Sequence, residues 1–237
     1  MLIKRRRLEM GEPTESTPIR PFAWEEPLRR ITLLVARLGL ALLFFSQLFW
    51  KLPPQFGCSS DFTFTSAGPD GALVRTSGLC DWVGLESVFA SRERSFFVTY
   101  SADGGTLFSV SLDPLVKLNG FFVDRVVQPA FGAFGWAIFL AEVFVAVALF
   151  LGLLGRGGAL VSLLLSIQLM LGLAGAWDPA TYLNEWEWSY HLMILLSLVL
   201  LGAAPGRVFG LDALLRPRLA AATARGGWLA KLYLALS

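Results

Sequence analysis

Histidine occurs once and cysteine twice among the 237 residues of this chain. One imidazole and two thiols without CxxC spacing are too few ligands for a bis-histidine haem or an iron–sulfur cluster, and no zinc signature is present. Phosphate-binding glycine loops and nucleophile elbows are missing as well. Charged residues make up only 16% of the sequence, well below the ~25% of soluble domains. In their place the chain carries 55% hydrophobic residues and a mean hydropathy of +0.60, concentrated in blocks. A hydrocarbon layer ~30 Å thick needs blocks of this length, at ~1.5 Å of helix per residue.

The fold expected from these blocks is an all-α membrane protein, a four-helix transmembrane bundle. Span one covers residues 28–52, and spans two to four lie within 130–205, near Phe131–Leu154, Gly158–Trp177 and Trp186–Ala204. Lys4, Arg5, Arg6, Arg7, Arg20, Arg29 and Arg30 lie ahead of the apolar core of the first span, and Arg207, Arg216, Arg218, Arg225 and Lys231 follow the last. Because Lys and Arg concentrate on the cytoplasmic side, both termini are expected there, which an even number of spans satisfies. The chain is thus read as a multi-pass protein of a bacterial or archaeal cytoplasmic membrane. Residues 1–27, polar and broken by Pro13, Pro18, Pro21 and Pro27, read as a disordered or partner-ordered tail whose KRRR suits anionic lipid rather than nucleic acid. The first span has no small-residue cleavage site and is too long for a signal-peptide core, so it is expected to be retained. Residues 206–237 read as a second cytoplasmic tail ending in the amphipathic ARGGWLAKLYLAL. The loop WDPATYLNEWEWSY carries Asp178, Glu185 and Glu187 without Lys or Arg, and its aromatic belt suits the outer interface. At the end of span one, Phe49, Trp50 and a snorkelling Lys51 suit the same interface.

Between spans one and two lies an extracytoplasmic insertion, residues 53–113, followed by an interfacial amphipathic helix over 114–129. Gly68-Pro69-Asp70-Gly71 is turn chemistry, and Cys58 and Cys80 lie eleven residues on either side of Pro69. Folding about that turn brings the cysteines face to face, which predicts a disulfide worth ~3 kcal/mol in the chain-entropy model. A redox-active thiol pair is the functional alternative. Asp81 is expected to cap a short helix, SFFVTY and TLFSVS to form a second hairpin about Ala102-Asp103-Gly104-Gly105, and Asp113-Pro114 to start the interfacial helix. Gly132, Gly135, Gly152, Gly155, Gly172 and Gly175 are expected to allow close backbone approach.

Ionisable groups are costly inside hydrocarbon and so mark candidate sites. They are Arg37 in span one, Glu142 in span two and His191 in span four, with Gln47 and Gln168 as uncharged companions. Aligning the span centres predicts an Arg37–Glu142 ion pair, either a packing device or the polar floor of a cavity. His191, near the outer surface, is suited to a quinone carbonyl or to proton transfer, or equally to a structural bond with a loop carbonyl. The quinone-binding candidates are therefore Arg37, Gln47, Glu142, Gln168 and His191, with Glu142 and His191 the candidates for catalysis. No haem, iron–sulfur or metal site of the chain's own is expected.

Arg37 with Gly39, FLAEVFVAVALFLGLLGRGGAL, and WEWSYHLMILLSLVLLGAAPGRVFGLD resemble the DoxX family. The W-x-W-x-Y entry and G-R-x-x-G-L-D exit are closest to its DoxD branch, the membrane small subunit of thiosulfate:quinone oxidoreductase. The resemblance covers roughly residues 28–52 and 114–215. It implies a four-helix membrane bundle that passes electrons from a periplasmic sulfur or thiol donor to quinone, usually with partner subunits, and it places Arg37, Glu142 and His191 at the family's polar positions. Two functions follow from it. One is an accessory or structural subunit within a respiratory or photosynthetic redox assembly, favoured by the elaborated loop and tails. The other is a quinone-reducing subunit served by a periplasmic partner on the 53–129 loop, favoured by the intramembrane ionisable residues.

Overall fold

The structure, a computed structural model, describes residues 22–64, 78–91, 94–174 and 185–237. The expected tail up to residue 21, the Gly68–Gly71 turn and residues 175–184 of the outer loop lie outside the described residues. In chain order the elements are α1 (Glu25–Gln47), α2 (Leu79–Ala90), strands β1 (Ser95–Tyr100) and β2 (Thr106–Ser111), α3 (Asp113–Phe122), α4 (Phe131–Leu151), α5 (Gly155–Leu173), α6 (Glu185–Ala203), α7 (Leu211–Ala224) and α8 (Trp228–Leu236). The protein is mostly helical, with a single two-stranded sheet among the described residues.

The four longest helices pack side by side, α1 on α4 and α6, α4 on α5, and α5 on α6. Their inner faces bury Leu33, Leu40 and Phe44 of α1 with Val145 and Leu149 of α4, Ala159 of α5 and Leu200 of α6. Their outer faces are apolar too. Leu42, Phe45, Leu140, Phe150, Leu164, Leu192, Leu195 and Val199 are each more than half exposed. Helices that are apolar all round suit lipid rather than water. Of the four, α4 and α5 are long and apolar enough to cross a membrane, and α6 contains a shorter apolar run, Trp188–Ala203. Gly152 ends α4 with φ +62, the left-handed geometry that closes a helix. Of the glycines expected to allow close backbone approach, Gly152 lies against Gly210 and Gly155 against Gly206, while Gly135 lies under the Phe56 ring and Gly172 against the Glu86 carboxyl. Gly132 faces open space instead.

The insertion closes one end of this bundle. Helix α2 lies across α5 and α3, with eight of its twelve residues buried. Cys58 and Cys80 form the expected disulfide, their Cα atoms 5.5 Å apart, beside a cluster of Phe56, Val83, Val123, Val127 and Phe131. β1 and β2 pair antiparallel, Ser95 opposite Ser111 and Tyr100 opposite Thr106, so the hairpin about Ala102–Gly105 forms as its turn residues predict. Two expected caps sit elsewhere. Asp81 lies in the first turn of α2, after Gly78 and Leu79, where the helix amino end still favours a carboxylate; burial pushes its carboxyl above the ordinary value. Asp113 is likewise in the first turn of α3, because its Oδ1 accepts the Arg94 N–H at 3.3 Å and so ties the hairpin to the helix. Helix α3 continues through a π-turn at Val123–Val127 into the turn before α4. It buries Val116, Val123 and Val127 while Leu115, Leu118 and Phe121 stay exposed.

Candidate functional site

A cavity of about 400 Å³ lies between the insertion and the bundle, within the ordinary range of small-molecule sites. Its walls come from the four long helices and from the insertion between α1 and α4. α1 and the turn after it bring Phe44, Gln47, Trp50 and Lys51; α2 brings Trp82, Val83 and Glu86; α4 brings Phe134, Ile138 and Glu142; α5 brings Leu165 and Gln168; α6 brings Tyr190 and Met193. The lining is mainly apolar with a few converging polar groups, the composition usual for small-molecule sites.

Its floor is an ion pair. Lys51 Nζ donates to Glu142 Oε1, and the two side chains are 7% and 6% exposed. A buried carboxylate needs a counter-charge, and the chain reversal after α1 delivers one: Lys51 N–H bonds Leu48 O at 3.1 Å and Phe56 N–H bonds Leu52 O at 2.9 Å, turning the lysine back toward the bundle. Lys51 is thus 5% exposed rather than snorkelling at the interface. Glu142 Oε2 is buried without a hydrogen-bond partner. The Lys51 ammonium also sits 4.5 Å from the centroid of the Trp50 ring. That indole stacks on Trp82 at 5.5 Å and donates from Nε1 to Gln47 Oε1 at 3.0 Å.

The second polar wall is built around Glu86, 4% exposed. Its Oε2 accepts Gln168 Nε2 at 2.7 Å and Asn119 Nδ2 at 3.2 Å. Burial pushes the Glu86 carboxyl up to about 7, the two amide hydrogen bonds and the neighbouring Arg94 charge pulling against it.

Of the candidates read from sequence, Gln47, Glu142 and Gln168 line this cavity. Arg37 does not, and the Arg37–Glu142 pair does not form. Arg37 NH1 donates to Pro205 O at 3.1 Å and Val208 O at 3.0 Å, and NH2 to Phe209 O at 3.3 Å. It lies against Gly152, ten residues of α4 and about 15 Å from Glu142. Matching span centres failed because α1 is displaced lengthwise: residues 26–32 are exposed and Leu33 is its first buried residue. His191 is also outside the lining; its ring packs 4.4 Å from that of Phe97 on β1.

The G-R-x-x-G-L-D exit forms a lock at the opposite end. Asp212, fully buried, accepts the N–H groups of Leu154 and Gly155 at 2.9 Å each, capping the start of α5, and Tyr233 OH donates to it at 2.7 Å. A Cβ on Gly206 would collide with Asp212, and one on Gly210 with Arg37 and Gly152 O. Sequence reasoning missed Lys51, Glu86, Trp82 and Tyr190 at the cavity. The available signal was a lysine directly after the first span, which neighbours the helix of Glu142, and a Glu on the apolar stretch of α2.

A family model described as TQO small subunit DoxD matches residues 112–237. Neither a curated protein nor a solved structure matches the chain. The matched region holds Glu142, Gln168, Tyr190 and Asp212; Trp50, Lys51, Trp82 and Glu86 come from outside it.

Proposed function

This chain belongs to the DoxD family, the membrane small subunits of thiosulfate:quinone oxidoreductase, and from that premise we propose that it is the quinone-binding subunit of a membrane oxidoreductase. In this reading α1, α4, α5 and α6 are four membrane spans, their apolar outer faces meet lipid, and the basic residues at both ends keep the termini cytoplasmic. The insertion and the cavity then face the outer side, where a partner subunit carrying a sulfur or thiol donor docks.

The observation that carries the proposal is Glu142. Its Oε1 is held by Lys51 while its buried Oε2 has no partner, at the floor of an apolar cavity walled by Trp50 and Trp82. Leaving such an acceptor unsatisfied costs ~1–3 kcal/mol, a cost that an O–H brought by the reduced form of the ligand removes. The residues present fit a quinone: a mainly apolar lining for the ring, with Lys51 Nζ as a donor to one of its carbonyls. When bound, a quinone supplies two-electron, two-proton acceptor chemistry. Lys51 holds donor protons at Nζ, Glu142 keeps the lysine charged and oriented, and the surrounding Phe44, Val83, Phe134 and Ile138 exclude water.

A second reading, an accessory subunit within a respiratory or photosynthetic assembly, draws on α7 and α8. Leu214, Trp228, Leu229 and Leu232 there are at least half exposed, a surface suited to lipid or another subunit. Titration of the purified full-length protein with a short-tailed benzoquinone, read by tryptophan quenching, tests the first reading. Saturable quenching in the native protein that is lost in Lys51→Met and in Trp82→Leu supports a quinone site. Absence of saturable quenching in the native protein refutes it and leaves the accessory role.

A further inference from the structure

The mechanism above uses one carboxylate, yet the cavity has two. Glu86 belongs to the insertion rather than to a spanning helix, and its place is specifically built. Gly172 on α5 lies where any side chain would strike the Glu86 carboxyl, Cδ and Oε2 included. Two amides from different elements, Gln168 on α5 and Asn119 on α3, converge on the same oxygen, Oε2. Arg94, the cation whose charge acts on Glu86, spends NH1 on the carbonyls of Leu171 at 2.7 Å and Gly172 at 3.1 Å, at the end of α5, where partial negative charge collects. The salt bridges among the described residues do not include Glu86.

This arrangement differs from that of Glu142 in one chemical respect. Glu142 has a lysine ammonium donating to one oxygen. Glu86 has only neutral amide donors, both on Oε2, which makes Oε2 the acceptor and leaves Oε1 as the oxygen that carries a proton. A carboxylic acid with its O–H in an apolar cavity is a strong hydrogen-bond donor to a carbonyl oxygen.

Building on the quinone reading, we propose that Glu86 in its neutral acid form is the hydrogen-bond donor that recognises a carbonyl oxygen of the ligand, so that the insertion, and not the bundle alone, selects and holds it. The cavity therefore has two unlike ends, a Lys51–Glu142 pair for one carbonyl and an acid for the other. Ligands with two opposed carbonyl oxygens fit it, one accepting from Lys51 and the other from Glu86. Deprotonation of Glu86 turns that donor into an acceptor and expels the carbonyl. The upward displacement of its titration to about 7 places that loss in the neutral range.

Other titratable or charged groups face the same space or pack around Glu86. Arg94 approaches from the residue before β1, Asp81 lies on α2 itself, and Asp124 after α3 is held by Ser87 Oγ at 2.5 Å. Lys51 and Glu142 lie across the cavity and Tyr190 lines it from α6. A substitution at Glu86 alone separates its contribution from theirs.

The experiment is equilibrium binding of decylubiquinone, which does not titrate between pH 6 and 9, to the full-length protein in mild detergent. Wild type, Glu86→Gln and Glu86→Leu are compared. If only the acid form binds, wild-type affinity falls on the order of 100-fold from pH 6 to pH 9, since apparent affinity scales with the competent fraction. Glu86→Gln presents an amide N–H to the cavity while its oxygen still accepts from Gln168 and Asn119, so it binds within a few-fold of wild type at pH 6 and loses the pH dependence. Glu86→Leu binds weakly at every pH. An infrared carboxylic-acid band that titrates in wild type, shifts on adding decylubiquinone and is absent from Glu86→Gln gives the same answer without reference to turnover. A flat wild-type profile, or a Gln variant that keeps the wild-type pH dependence, overturns the role of Glu86 while leaving the quinone site standing. Failure of wild type to bind at any pH overturns both.

Discussion

Separating Lys51 from Glu142 is the sharpest perturbation available to this fold. Both side chains are almost wholly buried, 7% and 6% exposed, so solvent screening offers little relief when one is removed. Deleting one partner of such a pair costs about 3–5 kcal/mol, whereas replacing both by apolar side chains is near neutral or stabilising. Glu142→Leu leaves the Lys51 ammonium in an apolar cavity with the Trp50 ring as its neighbour. Lys51→Met leaves both Glu142 oxygens without a donor. At roughly 2–4 °C per kcal/mol for a chain of this size, each single variant should lose on the order of 10 °C in thermal midpoint. The double variant Lys51→Met/Glu142→Leu should return to within a few degrees of wild type, giving a coupling of several kcal/mol. Thermal unfolding in one mild detergent, followed by near-ultraviolet tryptophan signal, measures all four corners of the cycle. Additive losses, or rescue of Glu142→Leu by Arg37→Leu instead of Lys51→Met, would refute the pairing and restore the one inferred from span centres.

Three further outcomes test other parts of the fold. Neither Cys58 nor Cys80 should react with a thiol reagent before reduction, and Cys58→Ser/Cys80→Ser should lose ~3 kcal/mol through the freed loop; ready labelling of native protein contradicts the bond. Asp212→Ala removes the cap from the Leu154 and Gly155 N–H groups and the Tyr233 partner, which should cost a few kcal/mol in thermal stability, with quinone binding at the distant cavity unchanged. Glu86 is an acid whose titration is raised from 4.5 to about 7 on folding, so between those values the folded state holds more protons than the unfolded. Stability should therefore fall as pH rises from ~4.5 to ~7, by on the order of 3 kcal/mol, and stay level above. Glu86→Gln should lack that slope, and an identical slope in the variant would place the effect on another group.

The helices were legible because apolar blocks of this length have few alternatives, and the second hairpin because Asp103-Gly104-Gly105 is turn chemistry between two β-rich runs. The disulfide was legible from symmetry about Pro69. The partners of buried charges were not. Depth along a helix can be counted from sequence, but the lengthwise offset between neighbouring helices depends on how their side chains interlock, and α1 is displaced enough to carry Arg37 past Glu142 to the carbonyls of residues 205, 208 and 209. Lys51 misled for a related reason. Beside Phe49 and Trp50 at a span end it has the composition of an interfacial anchor, and only the chain reversal through Leu52–Phe56 turns it inward. His191, singled out as the lone imidazole, lies against Phe97 instead of in the cavity, since the hairpin that covers it comes from a segment whose docking no periodicity reveals.

The position of α1 explains why the two polar centres belong to one design. Its Arg37 meets the α6–α7 connection at one end of the bundle, and fourteen residues later Lys51 meets Glu142 near the other, a separation of about 20 Å if the chain were helical throughout. Neither charge has a tolerable place if α1 slides by a turn, because ~5 Å would break three guanidinium–carbonyl bonds and the lysine pair together. The carbonyl contacts of Arg37 thus fix the register that sets Lys51 under the cavity. The family-matched residues 112–237 hold Glu142 and Asp212 but neither of the cations that α1 brings to these two centres. On its own, that stretch would bury a carboxylate at each end of the bundle without Lys51 or Arg37, which makes α1 and the insertion part of the site and not an attachment to it.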